Sequence, residues 1–157
     1  MKLVCICFAA ACIILQTPAC THRPQVRATL DELRADPEAY EGSELIITAP
    51  ISDVLENPAR YKDYRIEVTG GLGYYGPLAF WTWYLMVADG EGNELRCYTK
   101  YYRTSVGRDA GVVLKRASME KKPLTVNGYL ENDGLSIREI IYGGVLVKPS
   151  KKPRYSR

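Results

Sequence analysis

This chain has almost no histidine: His22 is the single one in 157 residues. It stands two places after Cys20, in a polar stretch where a general base would have no fixed geometry. Ser/His and Cys/His nucleophile pairs are therefore excluded from the body of the chain, and one histidine cannot anchor a zinc site of the usual type. Carboxylate pairs stay open, but no spacing among the acidic residues singles one out. No enzymatic activity and no cofactor is expected. Apolar runs of membrane-spanning length are missing as well. The run at residues 3–15 is 13 uncharged residues, roughly 20 Å of helix at about 1.5 Å per residue. A hydrocarbon core is about 30 Å thick, so the run is too short to span comfortably.

Lys2 precedes that run, and Gln16, Thr17, Pro18 and Ala19 follow it. A basic start, an apolar middle and small residues before a cut make the layout of an export signal. As a buried helix the segment has no cap, and Pro18 ends it. Thr17 and Ala19 supply the small residues three and one places before a cut at Cys20. The stretch "TPAC" resembles the lipobox of bacterial lipoproteins, whose cysteine receives lipid. That family prefers Leu where Thr17 stands and seldom carries Pro in the middle place. The resemblance covers residues 1–20. It implies lipidation of Cys20 and a membrane anchor through that lipid. Thr21, which is not Asp, implies an outer-membrane lipoprotein facing the periplasm of the bacterial cell envelope. A secreted or periplasmic soluble protein is the alternative.

Cys5, Cys7 and Cys12 lie in the segment expected to be removed, leaving Cys20 and Cys97. Two cysteines could close one disulfide in an oxidising compartment. With lipid on Cys20, Cys97 is instead a small buried apolar residue. Neither case leaves a cysteine cluster for a metal. From Cys20 onward the chain has the length of one domain with a real core. Five of its basic residues (Lys148, Lys151, Lys152, Arg154 and Arg157) fall in the last ten positions, with no acid among them. Residues 20–147 then hold 15 basic against 18 acidic residues, a net −3. The basicity is a tail, read as a disordered, solubilising terminus; contact with anionic lipid or glycan is the alternative.

Residues 30–48, "LDELRADPEAYEGSELIIT", match residues 51–69, "ISDVLENPARYKDYRIEVT", at an offset of 21. Pro37/Pro58, Tyr40/Tyr61 and Thr48/Thr69 coincide, and Leu30/Ile51, Leu33/Val54, Leu45/Ile66 and Ile47/Val68 are apolar in both. Each copy predicts a short amphipathic helix, a turn at the Asp/Asn-Pro pair, then a strand. Two copies are too few for a solenoid. Residues 45–49 are expected to add a strand beside the main sheet.

From Arg65 the pattern is strand after strand. "RIEVTGGLGYY" sets Ile66, Val68 and Leu72 against Arg65, Glu67 and Thr69. "FWTWYLMVAD" is an apolar strand ended by the turn "DGEGN". "ELRCYTKYY" sets Leu95, Cys97, Thr99 and Tyr101 against Arg96, Tyr98, Lys100 and Tyr102. Val106, Ala110, Val113, Leu114 and Ala117 recur at helical spacing. "LTVNGYL" and "LSIREIIY" then form a hairpin through residues 131–134. Three strands, a helix and two strands, with "NPARYKDYRIEVTG", the glycine-rich bend, "VADGEGNELRCY" and "VNGYL", resemble bacterial OB-fold domains over about residues 61–144. The expected fold is mainly β: a five-stranded OB-like Greek-key barrel with one helix between strands 3 and 4, plus an N-terminal helix-strand extension. An irregular small barrel or sandwich is the alternative. The expected divisions are a signal peptide (1–19), a tether (20–28), the extension (29–60), the barrel (61–147) and the tail (148–157).

"GLGYYG" fits G-x-G-x-x-G literally, but a dinucleotide site needs a helix there, and Pro77 with an aromatic strand follows. "DGEGNE" has calcium-loop spacing at Asp89, Glu91 and Asn93. It lacks the sixth-position Gly and the twelfth-position Glu, where Glu94 and Lys100 stand, so it reads as a hairpin turn. If Leu85 and Val87 point inward, Phe80, Tyr84 and Met86 point outward on strand two. Arg96, Tyr98, Lys100 and Tyr102 share the outer face of strand three. The resemblance implies that this face binds the ligand, and rings interleaved with cations suit stacking and cation–π contacts. Trp81, Trp83 and several tyrosines fit a core role as well. A body at −3 argues against nucleic acid, because phosphate neutralisation dominates that affinity. An envelope protein or glycan partner is expected, the module being non-catalytic. A structural accessory lipoprotein, docking through residues 29–69, is the alternative.

Overall fold

A computed structural model describes residues 23–79, 82–100, 105–132 and 134–148. The described chain is mainly β. Its strands are β1 (Gln25–Ala28), β2 (Glu44–Thr48), β3 (Arg65–Ala79), β4 (Thr82–Ala88), β5 (Glu94–Lys100), β6 (Leu124–Glu131), β7 (Gly134–Tyr142) and β8 (Val145–Val147). Its helices are α1 (Leu30–Ala35), α2 (Ile51–Glu56) and α3 (Ser105–Glu120). No helix of the described residues is long and apolar enough to cross a membrane.

Both copies of the repeat fold as their pattern predicts. In the first, the Thr29 hydroxyl accepts from the Glu32 amide at 3.2 Å, and the Glu32 carboxylate accepts from the Thr29 amide at 2.7 Å. This reciprocal cap starts α1. Asp36 ends it and accepts from the Ala39 amide, opening the 3-10 turn Pro37–Tyr40. Proline suits that first position because its missing N–H would be unsatisfied there anyway. In the second copy α2 buries Ile51 and Val54 and leads into the turn Pro58–Arg60. The Asp53 carboxylate braces that turn, accepting from Asn57 Nδ2 at 2.9 Å, from Arg60 and from the hydroxyl of buried Tyr61. Burial first, then that bond to Asp53, pushes the Tyr61 phenol up to about 12.

Each helix and turn is a crossover between parallel strands, which cannot be joined by a tight turn. β1 pairs β2 and β2 pairs β3, both in parallel, with Gln25 opposite Glu44 and Ile46 opposite Arg65. β1 falls within the stretch expected to be a tether, which is therefore a strand from Gln25 onward. The offset of 21 also holds there: Val26, Ile47 and Val68 correspond, as do the buried Ala28, Ala49 and Gly70. The repeat thus begins one strand earlier than a helix-first reading places it.

β3 divides its pairing. Arg65–Gly70 runs antiparallel to β6, and Gly71 onward runs antiparallel to β4. β4 pairs β5, β5 pairs β7 in parallel and β7 pairs β6, so the pairings return to β3. The division falls at Gly70, where a Cβ would lie 2.3 Å from the Ala88 carbonyl oxygen. The glycine-rich bend therefore lets two backbones cross closely. β1, β2 and β8 stand outside the ring: β2, α1 and α2 occupy the expected helix-strand extension, whereas β1 and β8 are strands that the expected fold does not contain. Inside lie Ile66, Val68, Leu85, Val87, Leu95, Cys97, Leu124, Val126, Leu135 and Ile140, with Ala110, Leu114 and Ala117 of α3. Cys97 is fully buried, and burial pushes its thiol up, away from reactivity.

The alternation in β3 points Arg65 and Glu67 outward, yet both are buried. They belong to a polar ladder crossing six chain segments. Arg65 Nε donates to Asn127 Oδ1 at 3.0 Å, its Nη2 lies 2.7 Å from Glu139 and its Nη1 2.5 Å from Glu44. Asn127 Nδ2 donates to Glu139 at 3.0 Å, and Lys148 reaches Glu139 at 3.0 Å. Arg27 from β1 meets Glu67 at 2.9 Å. Long side chains laid across the sheet shield one another, and Ile46, the register partner of both Arg27 and Arg65, is fully buried.

Burial works against the Glu139 carboxylate, but Asn127, Lys148 and Arg65 outweigh it and hold it below its ordinary range. Gln25, then Arg65, does the same for Glu44. On α3, Arg116 and the Tyr142 hydroxyl hold Glu120 down to about 2. A depressed folded value stabilises above the unfolded carboxylate value of about 4.3 and is lost as pH falls through the folded value. The melting temperature is therefore expected to stay level from pH 7 to about 5 and to fall between about 4.5 and 2. Thermal melts across that range check it, and a level curve down to pH 2 contradicts it.

Candidate functional site

Leu85, Val87, Leu95, Cys97 and Thr99 point into the ring and are buried. Strand alternation then turns Tyr84, Met86, Arg96 and Tyr98 outward. Tyr84 is the register partner of Tyr98, and Met86 of Arg96. Tyr74, from the bent half of β3, stacks on Tyr84 with ring centroids 5.1 Å apart and planes 28° apart. The Arg96 guanidinium lies 5.9 Å from the Tyr84 ring centre. Gly76 makes the stack possible. A Cβ there would sit 2.4 Å from the Tyr74 hydroxyl, so the tyrosine lies along bare backbone. Desolvation, then the hydrogen bond with Tyr74, raises the Tyr84 phenol above its ordinary value.

Tyr98 behaves differently from its neighbours. It is only 9% exposed, and its hydroxyl donates to the Glu131 carboxylate. With Lys62, Leu130, Glu131 and Asn132 it lines a cavity of about 350 Å³. The outer row continues from Tyr98 to Ser136 on β7 and on to Tyr129 on β6. Beside Tyr129 a bulge sets Asn127 opposite Glu139 but Gly128 opposite Ile137, leaving Arg138 as the extra residue. Arg138 turns out, with its guanidinium 5.4 Å from the Tyr129 ring centre.

Of the residues proposed from sequence, Tyr84 and Arg96 come together on the outer face. Tyr98 adjoins them but is covered, as the wall of the cavity. Lys100 pairs Thr82 through its backbone, and its side chain lies outside the described residues, as do Phe80, Tyr102 and Cys20. Tyr74, Lys62, Tyr129, Glu131 and Arg138 were not singled out. Tyr74 lies inside "GLGYYG", whose glycines mark a bend of the strand but say nothing of where its tyrosines reach. Arg138 was marked by a break of phase, since Leu135 and Ile137 point inward and so do Ile140 and Tyr142.

The structure also brings two buried carboxylates into one row, Glu67 and Glu139, on either side of Asn127. Each is engaged by an arginine, as described above, so they hold the sheet together. The Asp89 loop is a hairpin turn: its carboxylate accepts from the Glu91 amide at 2.9 Å and the Asn93 amide at 3.0 Å.

No family model matches this chain, and no curated protein matches it. Among solved structures, it is similar to the apo form of TiaS, a tRNAIle2 agmatidine synthetase, with 12% identity and a TM-score of 0.39. That likeness covers 49% of this chain and 17% of the synthetase chain. It is also similar to OBody AM1L10 bound to hen egg-white lysozyme, with 18% identity, a TM-score of 0.38 and coverage of 57% and 84%. OBody AM3L09 bound to the same lysozyme gives 15% identity, a TM-score of 0.37 and coverage of 59% and 88%.

Proposed function

We propose that this chain is a non-catalytic binding module of the bacterial cell envelope, built on an OB-type barrel and anchored through lipid on Cys20. The observation that carries the binding role is the outward stack of Tyr74 on Tyr84 beside Arg96. Exposed rings and a cation on a rigid sheet suit a glycan or a protein partner. The barrel reading is supported by the ring β3–β4–β5–β7–β6 with α3 inserted between β5 and β6, the connectivity of a five-stranded Greek key. The anchor and the outer-membrane location rest on residues 1–21. The ligand reading favours a glycan, because open tyrosine faces stack on sugar rings while the cavity beside them offers Lys62, Glu131 and Asn132 to hydroxyls.

Immobilised envelope glycans are expected to retain the chain but not a Tyr74→Ala, Tyr84→Ala variant, whose melting temperature stays within a few degrees of the parent. Tyr98 is left intact, since truncating it opens a buried wall. Retention that survives both changes would move the partner site to residues 29–69, as an accessory lipoprotein would have it. Intact mass of membrane-extracted protein tests the anchor: a chain starting at Cys20 and carrying a diacylglycerol is expected, and an unlipidated soluble chain rejects it.

A further inference from the structure

Two arginines on the outer face differ from five others. Arg27, Arg34, Arg60, Arg65 and Arg116 each reach a carboxylate. Arg96 and Arg138 form no ion pair among the described residues and lie instead over Tyr84 and Tyr129. Both are exposed. A guanidinium propped on a ring keeps its N–H edge free and pre-oriented, the arrangement that accepts an anionic group bidentately. Open aromatic surface accompanies each cation: Tyr74, stacked on Tyr84, is 49% exposed and Tyr129 is 39% exposed.

The two pairs sit on one row. Tyr84, Tyr98, Ser136 and Tyr129 are successive register partners. Strands lie about 4.8 Å apart, so Tyr84 and Tyr129 are separated by roughly 14 Å along the curved surface. Between them lies the cavity walled by Tyr98, with Lys62, Glu131 and Asn132 at its rim.

We infer that this row binds an acidic oligosaccharide whose sugar rings lie on the exposed tyrosines and whose carboxylate or phosphate substituents, set apart by neutral rings, meet Arg96 and Arg138. The inference rests on the glycan reading above and adds the ligand's charge and its spacing. A strand of nucleic acid presents a phosphate at every residue and needs a cation for each, which a body at −3 does not supply, whereas separated acidic groups need only two. Midway along the row Glu131 accepts the Tyr98 hydroxyl. A glycan with separated charges can place a neutral ring there, with its hydroxyls donating to Glu131 and accepting from Lys62 and Asn132.

The test is an array of matched oligosaccharides, hexuronate- or phosphate-bearing and their neutral counterparts, together with a ten-residue oligothymidylate. It is probed with the purified chain and with an Arg96→Gln, Arg138→Gln variant. Both changes are exposed and leave the core untouched, and an unchanged melting temperature confirms folding. The acidic members are expected to bind, with affinity falling about tenfold for each guanidinium removed, since each supplies charge-assisted hydrogen bonds. Binding should also weaken as salt rises. Equal binding of acidic and neutral members, insensitive to the double change, overturns this inference and leaves the glycan reading standing. Binding of oligothymidylate alone, or of nothing on the array, overturns both.

Discussion

Arg65→Ala is expected to lower the free energy of unfolding by about 3–5 kcal/mol, the cost of breaking a buried ion pair from one side. Arg65 is 7% exposed and joins Glu44 on β2, Asn127 on β6 and Glu139 on β7. Without it Glu139, whose side chain is 3% exposed, keeps only the Asn127 amide and the Lys148 ammonium. The Asn127 oxygen loses its donor altogether. Lys148→Ala is the matched control, because Lys148 is 67% exposed. Its loss should cost no more than about 1 kcal/mol. Denaturant titration of the two variants separates the cases. Equal, small losses would mean that water replaces the guanidinium freely and that this outer face is open.

Gly128→Ala should be nearly as damaging, for a reason of space and not of charge. A Cβ at Gly128 would sit 2.0 Å from the Ser136 carbonyl oxygen and 2.8 Å from its carbon, both backbone atoms with no rotamer to escape into. Strands β6 and β7 would have to part where their bulge holds Arg138 over Tyr129. Overpacking of this kind costs about 1–3 kcal/mol or more. For a domain of this size that is a fall in melting temperature of roughly 10 °C. Calorimetry would register it. A melting temperature within a degree of the parent would show that the two strands can separate there at little cost.

The order of elements from α1 to β7 was legible in the sequence because each carries its own period, whereas β1 and β8 are too short to show one. Ile66 and Val68 alternate, Ala110, Leu114 and Ala117 recur at helical spacing, and the Asp/Asn-Pro pairs mark both turns. The inward set of β5 followed from Leu95, Cys97 and Thr99. What alternation could not convey is what lies on top of an outward face. Arg65 and Glu67 alternate outward as a solvated pair would, and only the pairing of β1, β2, β6 and β7 around β3 shows the ladder that buries them. Tyr98 is the same case at the site: alternation turns it outward, but its cover comes from the β6–β7 hairpin. Tyr74 reaches Tyr84 only because Gly76 bares the backbone beneath it, a contact between two strands that no single segment encodes.

The double service of β3 has a consequence for how the chain is made. Its first half, Arg65–Gly70, has β2 on one edge, ready as soon as it emerges. The other edge waits for β6, whose Leu124 meets Gly70 across 54 positions of chain. A ribosome delivering this protein from its N-terminus therefore hands over an unfinished cylinder, with a row of unpaired amides and carbonyls down one side. The last quarter of the chain is its closing stave: any product that stops before Leu124 carries a sticky seam where the finished protein has none.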